Sequence, residues 1–141
     1  MNVIQIDAIE GFMEVSHRAD VAIKVWSKDP NGLFIQAARG LYCLMGVEKG
    51  NKRNISRAIN LDESDLETLL IRFLNELILD VQLKSVMYEE LNFRIQQKSL
   101  YGELKGKKIT GFVREIKAAT FHECNISQTD AGYETVIVFD I

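Results

Sequence analysis

Long apolar runs are what this sequence most clearly lacks. No stretch approaches the roughly 20 consecutive apolar residues that span a bilayer. The segment from Met1 to Asp7 has neither the basic start nor the apolar middle of a secretory signal. A cytoplasmic protein without a membrane partner is therefore expected. Cysteine is scarce: Cys43 and Cys124 stand in apolar surroundings, with no second cysteine at ligand spacing. That argues against a disulfide framework or a zinc ribbon and for two reduced, buried thiols. Basic residues are outnumbered, 17 against 20 acidic, for a net charge of -3. A broad phosphate- or DNA-binding surface is thus not expected, while a local basic patch stays open. Gly102, Gly106 and Gly111 are not followed by the Gly-Lys-Ser/Thr of a P-loop, and no nucleophile elbow occurs. Repeats, low-complexity tracts and linkers are missing as well.

What is present is an ordinary globular composition, 47% hydrophobic and 26% charged, in 141 residues. One domain over 1–141 is expected, with 1–11 as a lead-in segment ending at Gly11. Phe12 to Val15 reads as a short strand. Val21, Ile23 and Val25 alternate with Ala22, Lys24 and Trp26, the period of a half-buried strand. Asp29 followed by Pro30, the sole proline, predicts a helix cap. Leu33, Phe34, Ala37, Ala38, Leu41, Leu44 and Met45 then recur at helical spacing. Gly40 inside that stripe costs about 1 kcal/mol of helix propensity relative to alanine, which points to close packing on a sheet. Asn54 to Leu61 reads as a strand. A capping box of Ser64 and Glu67 opens the second helix, whose apolar stripe runs from Leu66 to Val81. Further strands are expected at Val86–Ile95, at Leu100–Leu104 before a turn at Gly106–Lys108, over a long alternation from Arg114 to Ile126, and at Tyr133–Phe139. The resulting fold class is α+β: a two-layer sandwich with two helices packed on a mostly antiparallel sheet of about six to eight strands.

Polar candidates are few. His17 and Asp20 lie at the break between the first two strands, where side chains can be exposed without disturbing a core. Asp140 and the α-carboxylate of Ile141 place oxygens within a residue of each other at the end of a hydrophobic strand. That is the start of a hard-cation site, or equally the solvated end usual for a terminus; on the residues alone the second is commoner. His17 reads as a metal ligand, a general base or a histidine satisfied at a strand edge. His122 reads as structural, on the apolar face of its strand. Lys117 reads as a solvated cover residue, or as a phosphate contact if it faces a pocket. The aromatic residues sit in apolar periodicity and read as core before they read as base-stacking platforms.

Several ordered motifs resemble the archease family. His17-Arg18-Ala19-Asp20 with the following strand is similar to its His-Thr-Ala-Asp signature. Asp65 to Leu77 is similar to its Asp-Leu-Glu…Leu-Asn-Glu-Leu helix, Glu115 to Glu123 to its Glu-Val-Lys-Ala…Tyr-His-Glu strand, and Phe139-Asp140-Ile141 to its ending. The resemblance runs from about residue 12 to the end. It implies a non-enzymatic activator of the tRNA-splicing RNA ligase, which joins 2′,3′-cyclic-phosphate or 3′-phosphate ends to 5′-hydroxyl ends. The activator promotes that ligase's guanylylation and multiple turnover, with RNA or GTP close only within the complex. It also implies a divalent-cation site, calcium by resemblance, whose ligands carry over to Asp20, Asp140 and the terminal Ile141. Lys117 carries over as a residue tied to the same activity; beside these ligands His17 is left a supporting role, orienting the turn or the groups behind the ligands. Arg18 departs from the family's usual threonine, and Ser27 to Gly32 from its usual entry to the first helix. Two other classes remain on the residues alone: a small metal-dependent phosphoester hydrolase with His17 as base, and a structural, chaperone-like binding module.

Overall fold

A computed structural model describes residues 4–5, 9–15, 20–50, 54–122 and 124–141, with the backbone alone at 4–5. Among them the elements follow in the order β1 (Ile4–Gln5), β2 (Gly11–Val15), β3 (Val21–Ser27), α1 (Pro30–Met45), β4 (Glu48–Lys49), β5 (Ile55–Asp62), α2 (Leu66–Lys84), β6 (Val86–Gln96), β7 (Ser99–Gly111), β8 (Ala118–Thr120), β9 (Ser127–Thr129) and β10 (Gly132–Asp140). Every strand pairing is antiparallel. One sheet has the order β1-β2-β3-β10-β8, with β9 also on β10; in the other, β7 pairs with β4, β5 and β6. The expected class holds, two helices with mostly antiparallel sheet. The strands exceed the expected six to eight, and they divide between two sheets.

The two helices join the sheets. α1 packs on β2 and β3, α2 packs on β8, and both also meet β6. Phe34 of α1 lies 5.8 Å from Phe73 of α2, which meets Phe93 of β6 edge-on at 5.1 Å. This aromatic chain runs through a single buried cluster. Asp29 caps α1 as expected, accepting from the Gly32 N–H at 2.7 Å. Gly40 also meets its expectation. A Cβ there would stand 2.8 Å from Ile23 Cδ1 and 3.2 Å from the Phe12 ring, so only glycine lets α1 settle on the sheet.

Four expectations are corrected. The cap of α2 is Asp65, not Ser64: its extended backbone turns the carboxylate onto the Thr68 N–H at 2.7 Å. That bond holds the Asp65 carboxyl below its ordinary range. Glu67 does not reach back to complete a capping box; it accepts instead from the Ile126 N–H at 3.1 Å. Cys43 is exposed, not buried. It stands one turn after the exposed Arg39, on the outer side of α1.

The turn expected at Gly106–Lys108 lies inside β7, and the chain reverses at Gln97 and Lys98, with Gln97 at φ 58°. Gly106 is required by a register shift between Tyr88 and Glu90 on β6. A Cβ at Gly106 would lie 1.8 Å from the Met87 carbonyl oxygen, a backbone atom that cannot rotate away. Gly106→Ala is expected to destabilise the fold by about 2 kcal/mol or more, read by denaturant unfolding. An unchanged midpoint would contradict that packing.

The alternation from Arg114 to Ile126 forms a strand only over Ala118–Thr120. Ahead of it, the N–H groups of Val113 and Arg114 close the end of α1 by donating to Met45 O at 2.8 and 3.0 Å. Satisfying a helix terminus takes precedence there over extending the sheet.

Candidate functional site

The register of β3 against β10 brings the sequence-predicted carboxylates together. The pairing ends at Phe139 opposite Val21, and continued one step it sets Asp140 beside Asp20. Val21 and Phe139 turn into the core. Alternation along β10 puts Asp140 on the other face from Phe139, and Asp20 directly precedes Val21 at the facing strand end. Asp20 is half-buried, whereas Asp140 and Ile141 are exposed. On the far side of β10, Asp140 pairs with Ala118, and the Lys117 N–H donates to Asp140 O at 2.8 Å. Asp20, Asp140, Ile141 and Lys117 thus share one end of one sheet. His17 and Arg18 lie outside the described residues, as does Glu123. His122 does not sit on a buried strand face: it is exposed in the turn after β8, its N–H on Thr120 Oγ1 at 3.3 Å.

The helix α2 fixes the lysine side of this site. Asn75 grips Ala119 at both main-chain groups: its Nδ2 donates to Ala119 O at 3.1 Å, and the Ala119 N–H donates to its Oδ1 at 2.8 Å. Two turns on, Gln82 Nε2 donates to Ile116 O at 3.3 Å. These amides cap the free edge of β8, which would otherwise expose unpaired backbone. Their signal in the sequence was two amides seven residues apart, bordering an apolar helical stripe. Asn75→Ala is expected to cost about 1–3 kcal/mol and to speed exchange of the Ala119 amide, because both groups of Ala119 lose their partner. Unchanged exchange would show that the clamp does not hold the edge.

Among the described residues, the candidate ligands at the strand ends, Asp20, Asp140 and Ile141, offer oxygens. Carboxylates suit calcium, magnesium or manganese, while zinc and copper sites draw on histidine and cysteine. Among the described residues no three His, Cys, Asp or Glu side chains converge as a ligand set. Asp20 and Asp140 are the two side chains here that could contribute oxygens to a hard cation.

The sequence profile of the Archease protein family (MTH1598/TM1083) matches residues 12–141. The chain belongs to the archease family. Archease of Saccharolobus islandicus is 30% identical over 139 residues, covering 94% of this chain and 100% of that protein. Archease of Methanosarcina barkeri is 27% identical over 137 residues, covering 90% and 93%. Among solved structures, an archease and possible chaperone from Thermotoga maritima shares the fold, with a TM-score of 0.71 at 22% identity over 90% of this chain and 94% of that one. Protein 1598 of Methanobacterium thermoautotrophicum shares it as well, with a TM-score of 0.67 at 20% identity over 93% and 99%. The archease match begins at Phe12, the first core residue of β2, and runs through both aspartates. No helix among the described residues is long and apolar enough to cross a membrane.

Proposed function

We propose that this chain is a protein cofactor and not itself an enzyme. It acts in the cytoplasm on the tRNA-splicing RNA ligase, promoting the ligase's guanylylation and multiple turnover as 2′,3′-cyclic-phosphate or 3′-phosphate ends are joined to 5′-hydroxyl ends. The observation that carries this reading is the β3–β10 register, which sets Asp140 beside Asp20 in a chain of the archease family. Asp20, Asp140 and the carboxylate of Ile141 hold a divalent cation, calcium by family resemblance. When bound, such a cation neutralises phosphate charge, which guanylyl transfer requires. Lys117, tied through its main chain to Asp140, brings a positive charge to the same end of the sheet. His17, three residues before Asp20, serves as a supporting group.

The test is a ligation assay with the cognate ligase at substoichiometric concentration. With this protein present, product is expected to exceed one equivalent per ligase. Product that stops at one equivalent with or without the protein would overturn the reading. The part of Ile141 is tested separately by adding one residue after it. That displaces the carboxylate, and cation affinity is expected to fall about tenfold or more. Unchanged affinity would remove Ile141 from the ligand set.

A further inference from the structure

Along α2, a partly apolar seam is left uncovered. Arg72, Glu76, Leu79 and Leu83 follow one another at intervals of four, three and four residues, the spacing by which a helix presents a stripe to another helix. Leu79 is 43% exposed, Leu83 73%, and Phe121, just past β8, 58%. Leu79 and Phe121 line a groove of about 480 Å³ between α2 and the segment carrying Lys117.

Three observations restrict what fits there. Asn75 already holds both main-chain groups of Ala119 in β8, and Gln82 holds the Ile116 carbonyl just before it, so an added strand cannot pair with that edge. An occupant docks through side chains, and the spacing on α2 suits a helix. Charge is the second restriction. Arg72 is paired with Glu63 at 2.8 Å, and Glu76 is paired with Arg57. Lys117 has no ion-pair partner among the described residues, so it is the groove's uncompensated charge. Position is the third: the Lys117 N–H is bonded to the main-chain O of Asp140, so the groove begins at the same end of the sheet as the strand-end aspartates.

We propose that this groove docks an amphipathic helix of the partner ligase, with apolar residues at i, i+3 and i+4 spacing and a carboxylate facing Lys117. Docking there delivers the strand-end carboxylates to the ligase's active site. The inference rests on the functional reading above, and binding and stimulation are therefore measured separately. Affinity for the cognate ligase is compared for the wild type, Leu79→Glu, Phe121→Ser and a control, Tyr101→Ser, which alters an exposed aromatic on β7. All these side chains are exposed, so melting temperatures are expected to match the wild type. Leu79→Glu and Phe121→Ser are expected to weaken binding about tenfold or more, with stimulation recovering at saturating protein, while Tyr101→Ser binds normally. Wild-type affinity in both groove variants overturns the docking site and leaves the functional reading standing. A wild type that binds the ligase without stimulating it overturns the functional reading alone. A wild-type dimer that Leu79→Glu converts to a monomer makes a second copy the occupant and overturns the proposal.

Discussion

Asp140→Asn and Asp20→Asn are each expected to abolish stimulation of the ligase while leaving the fold intact. Each change keeps side-chain size and removes one charge from a pair on neighbouring strand ends. An isosteric amide at an exposed or half-buried strand end leaves the core untouched, so the fold stays intact. Cation affinity falls, because an amide oxygen is a far poorer partner for a hard cation than a carboxylate. In a multiple-turnover assay both variants should fall to the level of ligase alone, at any concentration, with an unaltered thermal transition. That combination separates them from the groove variants, whose defect disappears at saturation. Normal stimulation by both would show that the carboxylates are not the working groups.

The largest effect on stability is expected at Asp80→Ala. Asp80 lies on α2, 4% exposed. It accepts from Arg57 Nη1 at 2.8 Å and from the Tyr88 hydroxyl at 2.5 Å, and Arg57 also bonds Glu76. Burial alone would disfavour the charged guanidinium, but the bonds to Glu76 and Asp80 outweigh it and raise the Arg57 pKa above its ordinary value. Burial first, and then the bond to Asp80, push the Tyr88 hydroxyl well above the usual tyrosine range. The Tyr88 N–H in turn donates to the Tyr42 hydroxyl at 3.1 Å, carrying the network to α1. Removing the carboxylate leaves the Tyr88 hydroxyl without its acceptor and Arg57 with Glu76 alone, and breaking a buried pair this way costs about 3–5 kcal/mol. Arg57 is about a quarter exposed, so water relieves part of that loss and the lower end, about 3 kcal/mol, is expected. Asp80→Asn keeps an acceptor for Tyr88 and should cost less. Denaturant unfolding of the three proteins checks the order, which fails if Asp80→Ala matches the wild type.

Local features were legible in the sequence. The Asp29–Pro30 start of α1, the stripe of α2 and the packing reason for Gly40 each depend on residues within one element and its immediate neighbour. Features that depend on competition were not legible. Ser64 and Asp65 both suit a cap, and the backbone at Asp65 decides between them. Gly106 has the composition of a turn, but the shifted register of β6 makes it a crossing point. Residues 114–126 alternate like a strand, while the end of α1 recruits the first of them. The site divides in the same way. Asp20 and Asp140 could each be noticed alone, yet their adjacency comes from pairing β3 with the last strand, which no spacing rule encodes. Family resemblance joined them as proposed ligands, and the register, continued one step, sets their strand ends side by side. Asn75 and Gln82 escaped notice because an amide on a helix gives no sign of what it will grip.

The central claim is that Asp20 and Asp140 act on one cation. Calorimetric titration of calcium, magnesium and manganese into the wild type, Asp20→Asn and Asp140→Asn tests it most directly. One site per chain is expected in the wild type, with affinity for the preferred cation lowered at least about tenfold in both variants. Wild-type affinity retained in either variant, or no cation bound by the wild type, would contradict it.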